Sequence, residues 1–195
     1  DCIFGAAMQQ GTQGFNLGRQ AAIAAGLPVS VAGTTVDRQC SSGLMSIAMG
    51  AKHIALDGAS VVIAGGCESI SLVQNENMNA HRLMDPKSVE NAPSIHMPML
   101  DTAEVVANRY SISREAQDEY AVTSQARTAA AQQAGRFDAE IVPVTATKLV
   151  TNRETGEVTK EEVTLIKDEG NRPGTSLEAL SGLKVVRPGG TITGG

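Results

Sequence analysis

Apolar positions fall into two regimes along the chain. In the first, short apolar runs alternate with stretches of helical spacing. Residues 2–8 are apolar, with Gly5 among them and Gln9 at their end, and predict a short buried strand. From Gln13 to Gly26, Leu17, Ala21, Ala22 and Ala25 recur at helical spacing, and Gly26-Leu27-Pro28 is the stop. Residues 29–36, rich in Val and Thr, predict a second strand. Between Ser41 and Leu56 the residues Leu44, Met45, Ile47, Ala48, Ala51, Ile54 and Ala55 mark one face of a helix that ends at Asp57-Gly58. Residues 59–64 predict a third strand, buried on both faces and closed by Gly65-Gly66. Strand, helix, strand, helix, strand in this order specifies a layered α/β core with a parallel sheet.

After Ile70 the regime changes. Residues 72–99 combine Asn, Pro and scattered charges without a sustained period, an excursion outside the core sheet. Helices are expected over residues 102–110 and 113–134, the second opened by Ser113 with acids in its first turns and closed by Gly135. Residues 141–150 and 158–166 predict a β-ribbon joined through Asn152-Arg153-Glu154-Thr155-Gly156. Residues 176–183 predict a short helix after Arg172-Pro173-Gly174. The organisation expected is a partial core at 1–71, an inserted helical and ribbon domain at 72–175, and a return to the core at 176–195. The chain reads as cut from something larger, since it opens in a strand and stops at Thr191-Ile192-Thr193-Gly194-Gly195 without a closing element.

Composition narrows the partners. The 195 residues are 42% hydrophobic and 19% charged, enough apolar content for a core and too much for a disordered chain. With a net charge of −5 and no basic stripe, nucleic acid is not an expected partner. The apolar runs are far too short to span a bilayer, so no membrane partner is expected either. Three cysteines, Cys2, Cys40 and Cys67, make no disulfide framework and read as reduced thiols of a cytoplasmic protein.

The sharpest chemical feature is Asp37-Arg38-Gln39-Cys40-Ser41-Ser42-Gly43. It sets a cysteine where a predicted strand ends and a predicted helix begins. The first N–H groups of a helix lack internal partners and present a positive end, which favours a thiolate by about 0.3–1 kcal/mol. That poises a nucleophile but leaves it in need of a base. The plainer reading of Cys40 is a small buried hydrophobe. Against it stand the charged and polar neighbours on both sides, and Gly43, which permits close approach of another backbone or a ligand. Cys2, in an apolar strand, and Cys67, after Gly65-Gly66, lack this setting and are expected to fill core.

These residues carry a resemblance. Asp37-Arg38-Gln39-Cys40-Ser41-Ser42-Gly43-Leu44 resembles the nucleophile motif of the thiolases, the acetyl-CoA acetyltransferases and 3-ketoacyl-CoA thiolases. Ala64-Gly65-Gly66-Cys67-Glu68-Ser69-Ile70-Ser71 is similar to the family's Ala-Gly-Gly-Met-Glu-Ser-Met-Ser, with Cys67 where Met is usual. Thr102-Ala103-Glu104, and Tyr110 through Asp118, resemble the helical part of its loop domain. Ala134-Gly135-Arg136-Phe137 with Glu140 through Val144 resembles the exit from that domain. Arg172-Pro173-Gly174-Thr175-Ser176-Leu177-Glu178-Ala179-Leu180 and Thr191-Ile192-Thr193 are similar to later family segments, so the likeness runs along the whole chain in order.

What the resemblance implies is a thiolase-like layered α/β/α/β/α fold, here a partial first half with its inserted loop domain. It also implies acyl transfer through Cys40 as catalytic nucleophile, on acyl-CoA and CoA, with CoA as substrate and no permanently bound cofactor or metal. His96-Met97 resembles the family's pair along the pantetheine channel, and Arg172 an arginine near the CoA adenine and diphosphate. The plainer readings are a surface-loop histidine beside an inward-packing methionine, and a solvated loop charge. Pro98-Met99 follows where Gly-Ile is common, and Ala179 stands where a serine is usual. The family's acid–base histidine and second cysteine belong to its other half, and His53, His81 and His96 do not stand in such contexts. A homo-oligomer, dimer or tetramer, is the expected assembly of the full-length protein. Two alternatives share the fold: a decarboxylating ketosynthase, against which the Tyr110–Asp118 motif argues, and a non-catalytic thiolase-fold fragment.

Overall fold

A central strand organises the first 85 residues. β1 (Cys2–Gly5) pairs in parallel with β2 (Gly33–Val36) on one side and with β3 (Ile63–Gly66) on the other. Gly5 lies opposite both Val36 and Gly66, so the three strands end at one level. A computed structural model describes residues 1–195, which form two compact units, Asp1–Asp85 and Pro86–Gly195. The expected boundary after Ser71 falls inside the first of them.

Two helices cover the first unit's sheet. α1 (Leu17–Ala24) begins later than its apolar spacing suggests, because Phe15 and Asn16 both have left-handed backbones, φ 50° and 64°. The Asn16 side chain then caps the helix, accepting from Arg19 N–H at 3.1 Å, and donates to the Gly33 carbonyl at 2.7 Å. β2 is half its expected length. The Arg19 guanidinium bonds the carbonyls of Val29 and Val31 and holds that stretch out of the sheet. α2 (Ser42–Leu56) returns the chain to β3.

The helices lie on opposite faces. A Cβ placed on Gly33 would meet Arg19 of α1, and one placed on Gly5 would meet Ser42 of α2. Gly33 pairs with Cys2, and Cys2 and Gly5 point to opposite faces of the sheet. The buried apolar residues of this unit are Cys2, Ile3, Ala6, Ala22 and, in the segment after β3, Val73. Ser46, wholly buried, has the Gly65 carbonyl at 2.6 Å and that of Gly43 at 2.7 Å as acceptors for its one hydroxyl proton, and the first of these ties α2 to β3.

β3 departs from expectation. It is an edge strand beginning at Ile63, and Ile63 is 49% exposed, so it is not buried on both faces. Cys67, expected in the core, is exposed just beyond it, while Cys2 is buried as expected. α3 (Ile70–Val73) then packs on the single turn at Gly11–Gln13.

The second unit is helical with one ribbon. α4 (Pro86–Asn91) precedes α5 (Met99–Arg109) and the 20-residue α6 (Arg114–Gln133). Ser113 caps α6 as expected, its hydroxyl accepting from Ala116 N–H at 3.2 Å. β4 (Val144–Thr151) and β5 (Val158–Leu165) form the antiparallel ribbon, with Asn152 accepting from Glu154 and Thr155 N–H in the turn. α7 (Leu177–Ser181), capped by Ser176, packs on α6, where Arg114 bonds Asp118 at 2.9 Å and reaches the Leu180 carbonyl. Residues 176–195, expected as a return to the core, lie within the second unit. No helix is long and apolar enough to cross a membrane.

Candidate active site

In open parallel sheets, ligands bind beyond the carboxyl ends of the strands where the strand order reverses direction. Here the order β2-β1-β3 places that switch between β1 and β3. α2 starts above this level, and its first turn rests directly on the sheet. A Cβ on Gly5 would lie 2.3 Å from the Ser42 carbonyl carbon and 2.5 Å from Gly43 N. A Cβ on Gly66 would lie 3.3 Å from the Gly43 Cα. Only glycine at Gly5 admits this approach, and it fixes the height at which the helix begins.

Residues 37–41 bridge β2 to this anchored helix. Gln39 has φ 50°, a left-handed backbone that costs a residue with a Cβ about 1–2 kcal/mol. The turn is held by side chains on both sides. Asp37 Oδ1 accepts from Gln39 N–H at 2.7 Å, and Ser41 Oγ donates to the Arg38 carbonyl at 2.8 Å. Ser42 Oγ accepts from Arg38 N–H at 2.8 Å and donates to the Gln39 carbonyl at 2.6 Å. Cys40 sits between these clamps, two residues before the first helical residue, and is exposed. The N–H groups after it are engaged, Ser41 with the Arg38 carbonyl and Ser42 with that of Gln39.

A second polar tie joins the loops beyond β1 and β3. Glu68 accepts from Ala7 N–H at 2.7 Å, Met8 N–H at 3.3 Å and Gln13 Nε2 at 2.5 Å. Gln13, only 3% exposed, also donates to the Met8 carbonyl and accepts from Ser69 N–H. Sequence reasoning missed both this tie and the role of the Ser42 hydroxyl. The serines after Cys40 were visible as polar neighbours, but Gln13 carried no signal in one sequence.

The other expected site residues lie on the second unit. His96 and Met97 occupy the turns before α5, His96 exposed and Met97 half-buried, with Met97 N–H donating to the Ser94 carbonyl. Arg172 is exposed at a turn fixed from its backbone: its N–H donates to Gln125 Oε1 at 2.8 Å, and its carbonyl accepts from the Thr175 hydroxyl at 2.7 Å. A cavity of about 790 Å³ lies between α5 and residues 187–191, and none of these three lines it. At its rim Arg187 Nε bonds Asp101 at 2.5 Å, which raises the guanidinium's affinity for its proton. Glu104 accepts from the N–H groups of Thr191 and Ile192, which hold its carboxyl below the usual carboxylate range.

The first unit is an α/β/α arrangement with an exposed cysteine in the turn before a helix start, and comparison with known sequences gives the family. The chain matches the model "Thiolase, N-terminal domain" over residues 1–195 and belongs to the thiolase family. A beta-ketoadipyl-CoA thiolase of Acinetobacter baylyi is 42% identical over 212 aligned positions, covering all of this chain and 50% of the relative. A 3-ketoacyl-CoA thiolase of Bacillus subtilis is 42% identical, covering all of this chain and 49% of the relative. The crystal structure of the Bacillus anthracis acetyl-CoA acetyltransferase superposes with a TM-score of 0.75 at 36% identity, over 98% of this chain and 48% of that one. The chain thus spans about half the length of the relatives it matches, and its fold is that of the thiolase N-terminal half.

Proposed function

We propose that this chain is the nucleophile-bearing half of a CoA-dependent thiolase, with Cys40 as the acyl acceptor. The observation that carries the reading is the placement of an exposed Cys40 in a clamped turn above the carboxyl ends of a parallel sheet, within the family's motif. The substrate class is a 3-ketoacyl-CoA. The similar proteins carry names that span beta-ketoadipyl-CoA, 3-ketoacyl-CoA and acetyl-CoA chemistry, so the class is wider than one acyl chain.

In the degradative direction the Cys40 thiolate attacks the keto carbon and forms a C–S bond. The tetrahedral oxyanion collapses with cleavage of the C2–C3 bond. The departing acetyl-CoA carbanion takes a proton, and the acyl group stays on Cys40 as a thioester. A CoA thiolate then attacks that carbonyl, and the Cys40 thiolate leaves. In the reverse direction acetyl-Cys40 accepts the carbanion of a second acetyl-CoA. Each tetrahedral stage needs donors for its oxyanion. With the N–H groups of Ser41 and Ser42 engaged, the Cys40 N–H is the one this turn would offer. The proton transfers need an acid–base group, which the family resemblance places in the other half. His53 sits in the last turn of α2, at the opposite end of the helix from Cys40, beside Asp1 and Asp57.

His96, Met97 and Arg172 are the proposed CoA contacts, with CoA entering as substrate. Supporting this, the exposed Arg172 has its backbone fixed by Gln125 and Thr175 while its guanidinium has no partner in the chain. The test is Cys40→Ala in the full-length protein, which is expected to form no acyl-enzyme and to lose turnover. Normal turnover in that variant would overturn the assignment.

A further inference from the structure

Of the two hydroxyls that follow the cysteine, neither used by the reaction as written, the one at the helix start is buried. Ser42 is 4% exposed, and both of its side-chain bonds run backward across Cys40 to the two residues before it. It accepts from Arg38 N–H and donates to the Gln39 carbonyl, so the hydroxyl is satisfied and free to act neither as acid nor as nucleophile. Its own backbone is fixed by contact with Gly5 of β1. The left-handed Gln39 is held at its carbonyl by both the Ser42 hydroxyl and the Ser42 N–H, and loss of the hydroxyl removes the shorter of these bonds together with the one to Arg38 N–H. Asp37 and Ser41, which also bond this turn, are exposed, where water competes for their bonds.

We infer that Ser42 is the positioning residue for the nucleophile: its buried hydroxyl couples the turn carrying Cys40 to the sheet, and so sets where the sulfur stands relative to the helix start. The inference rests on the reading of Cys40 as the acyl acceptor. It adds that the first helical serine, which touches no substrate, governs the rate of acyl transfer. Displacement of a reacting group by about 1 Å can cost on the order of a hundredfold in rate, with little effect on binding.

The test uses Ser42→Ala and Ser42→Thr in the full-length protein, with its own cysteines as reporters. Buried Cys2 reports global opening, exposed Cys67 reports reagent access, and Cys40 reports the site. In Ser42→Ala, acylation of Cys40 by acetoacetyl-CoA and kcat are expected to fall about ten- to a hundredfold. KM is expected to stay within about twofold, because ground-state contacts are untouched. Alkylation of Cys40 by iodoacetamide, relative to Cys67, is expected to fall about two- to fivefold as the sulfur leaves the helix start. Ser42→Thr, which keeps the hydroxyl, is expected to recover most of both rates, and Cys2 stays unreactive throughout. Unchanged rates in Ser42→Ala, an equal loss in both variants, or exposure of Cys2 together with the loss would overturn the inference. If wild-type Cys40 is alkylated but never acylated, the functional reading fails, and the alkylation ratio still decides the role of Ser42.

Discussion

At the scale of single residues, the site depends on what is absent from Gly5. The α2 backbone occupies the space a side chain would need there, so a methyl group cannot be accommodated by rotating a flexible neighbour. Gly5→Ala is expected to destabilise the first unit by about 1–3 kcal/mol, read as a lower urea midpoint, because the helix must rise from the sheet. The same change at Gly65, whose Cβ would meet nothing within 4 Å, is expected to shift the midpoint by less than about 0.5 kcal/mol. Equal losses at the two glycines would contradict the close-packing account. The cysteine motif was legible because the strand-to-helix junction is marked by residue type. The clamp around it was not, since hydroxyls that bond the backbone two to four residues away look in sequence like any polar surface.

At the scale of elements, α5 is joined to the chain's last segment through two carboxylates, Asp101 on Arg187 and Glu104 on two backbone N–H groups. Glu104 accepts from the Thr191 and Ile192 N–H groups at 3.0 and 2.8 Å, and these bonds favour its ionised form. A carboxyl whose folded affinity for protons is lowered stabilises the fold above its unfolded value of 4.5. That contribution is lost as pH falls through the lower folded value. Glu104→Gln is therefore expected to melt below the wild type at neutral pH, with the gap closing on acidification below about pH 4.5. A gap that is constant with pH would show that the charge is not what matters. Apolar period and cap chemistry made α2, α6 and the ribbon legible. They failed for β3, because four apolar residues in a row look alike in a central strand and at an edge. α1 starts late for a tertiary reason, since Asn16 is held by Gly33 and Thr35 across the sheet.

At the scale of the whole molecule, the outward side of α2 is apolar and open: Leu44 is 72%, Ile47 53% and Leu56 79% exposed, and Phe15 before α1 is 99% exposed. Apolar exposure of this kind favours association. The 195-residue chain alone is expected to bind a hydrophobic dye and to elute as an associated species. A monodisperse, dye-negative monomer would contradict this. Family membership and fold were readable because motifs recur in order along the chain, whereas the placement of residues 176–195 in the second unit depends on contacts with Asp101, Glu104 and Arg114 that no local pattern announces.

All of these scales converge on one sulfur atom. The direct measurement is intact mass of the full-length protein after brief exposure to acetoacetyl-CoA, with and without prior iodoacetamide, followed by peptide mapping of the three cysteines. The account predicts a single acetyl adduct on Cys40 that iodoacetamide prevents. An adduct on Cys2 or Cys67, or turnover without any adduct on Cys40, would contradict it.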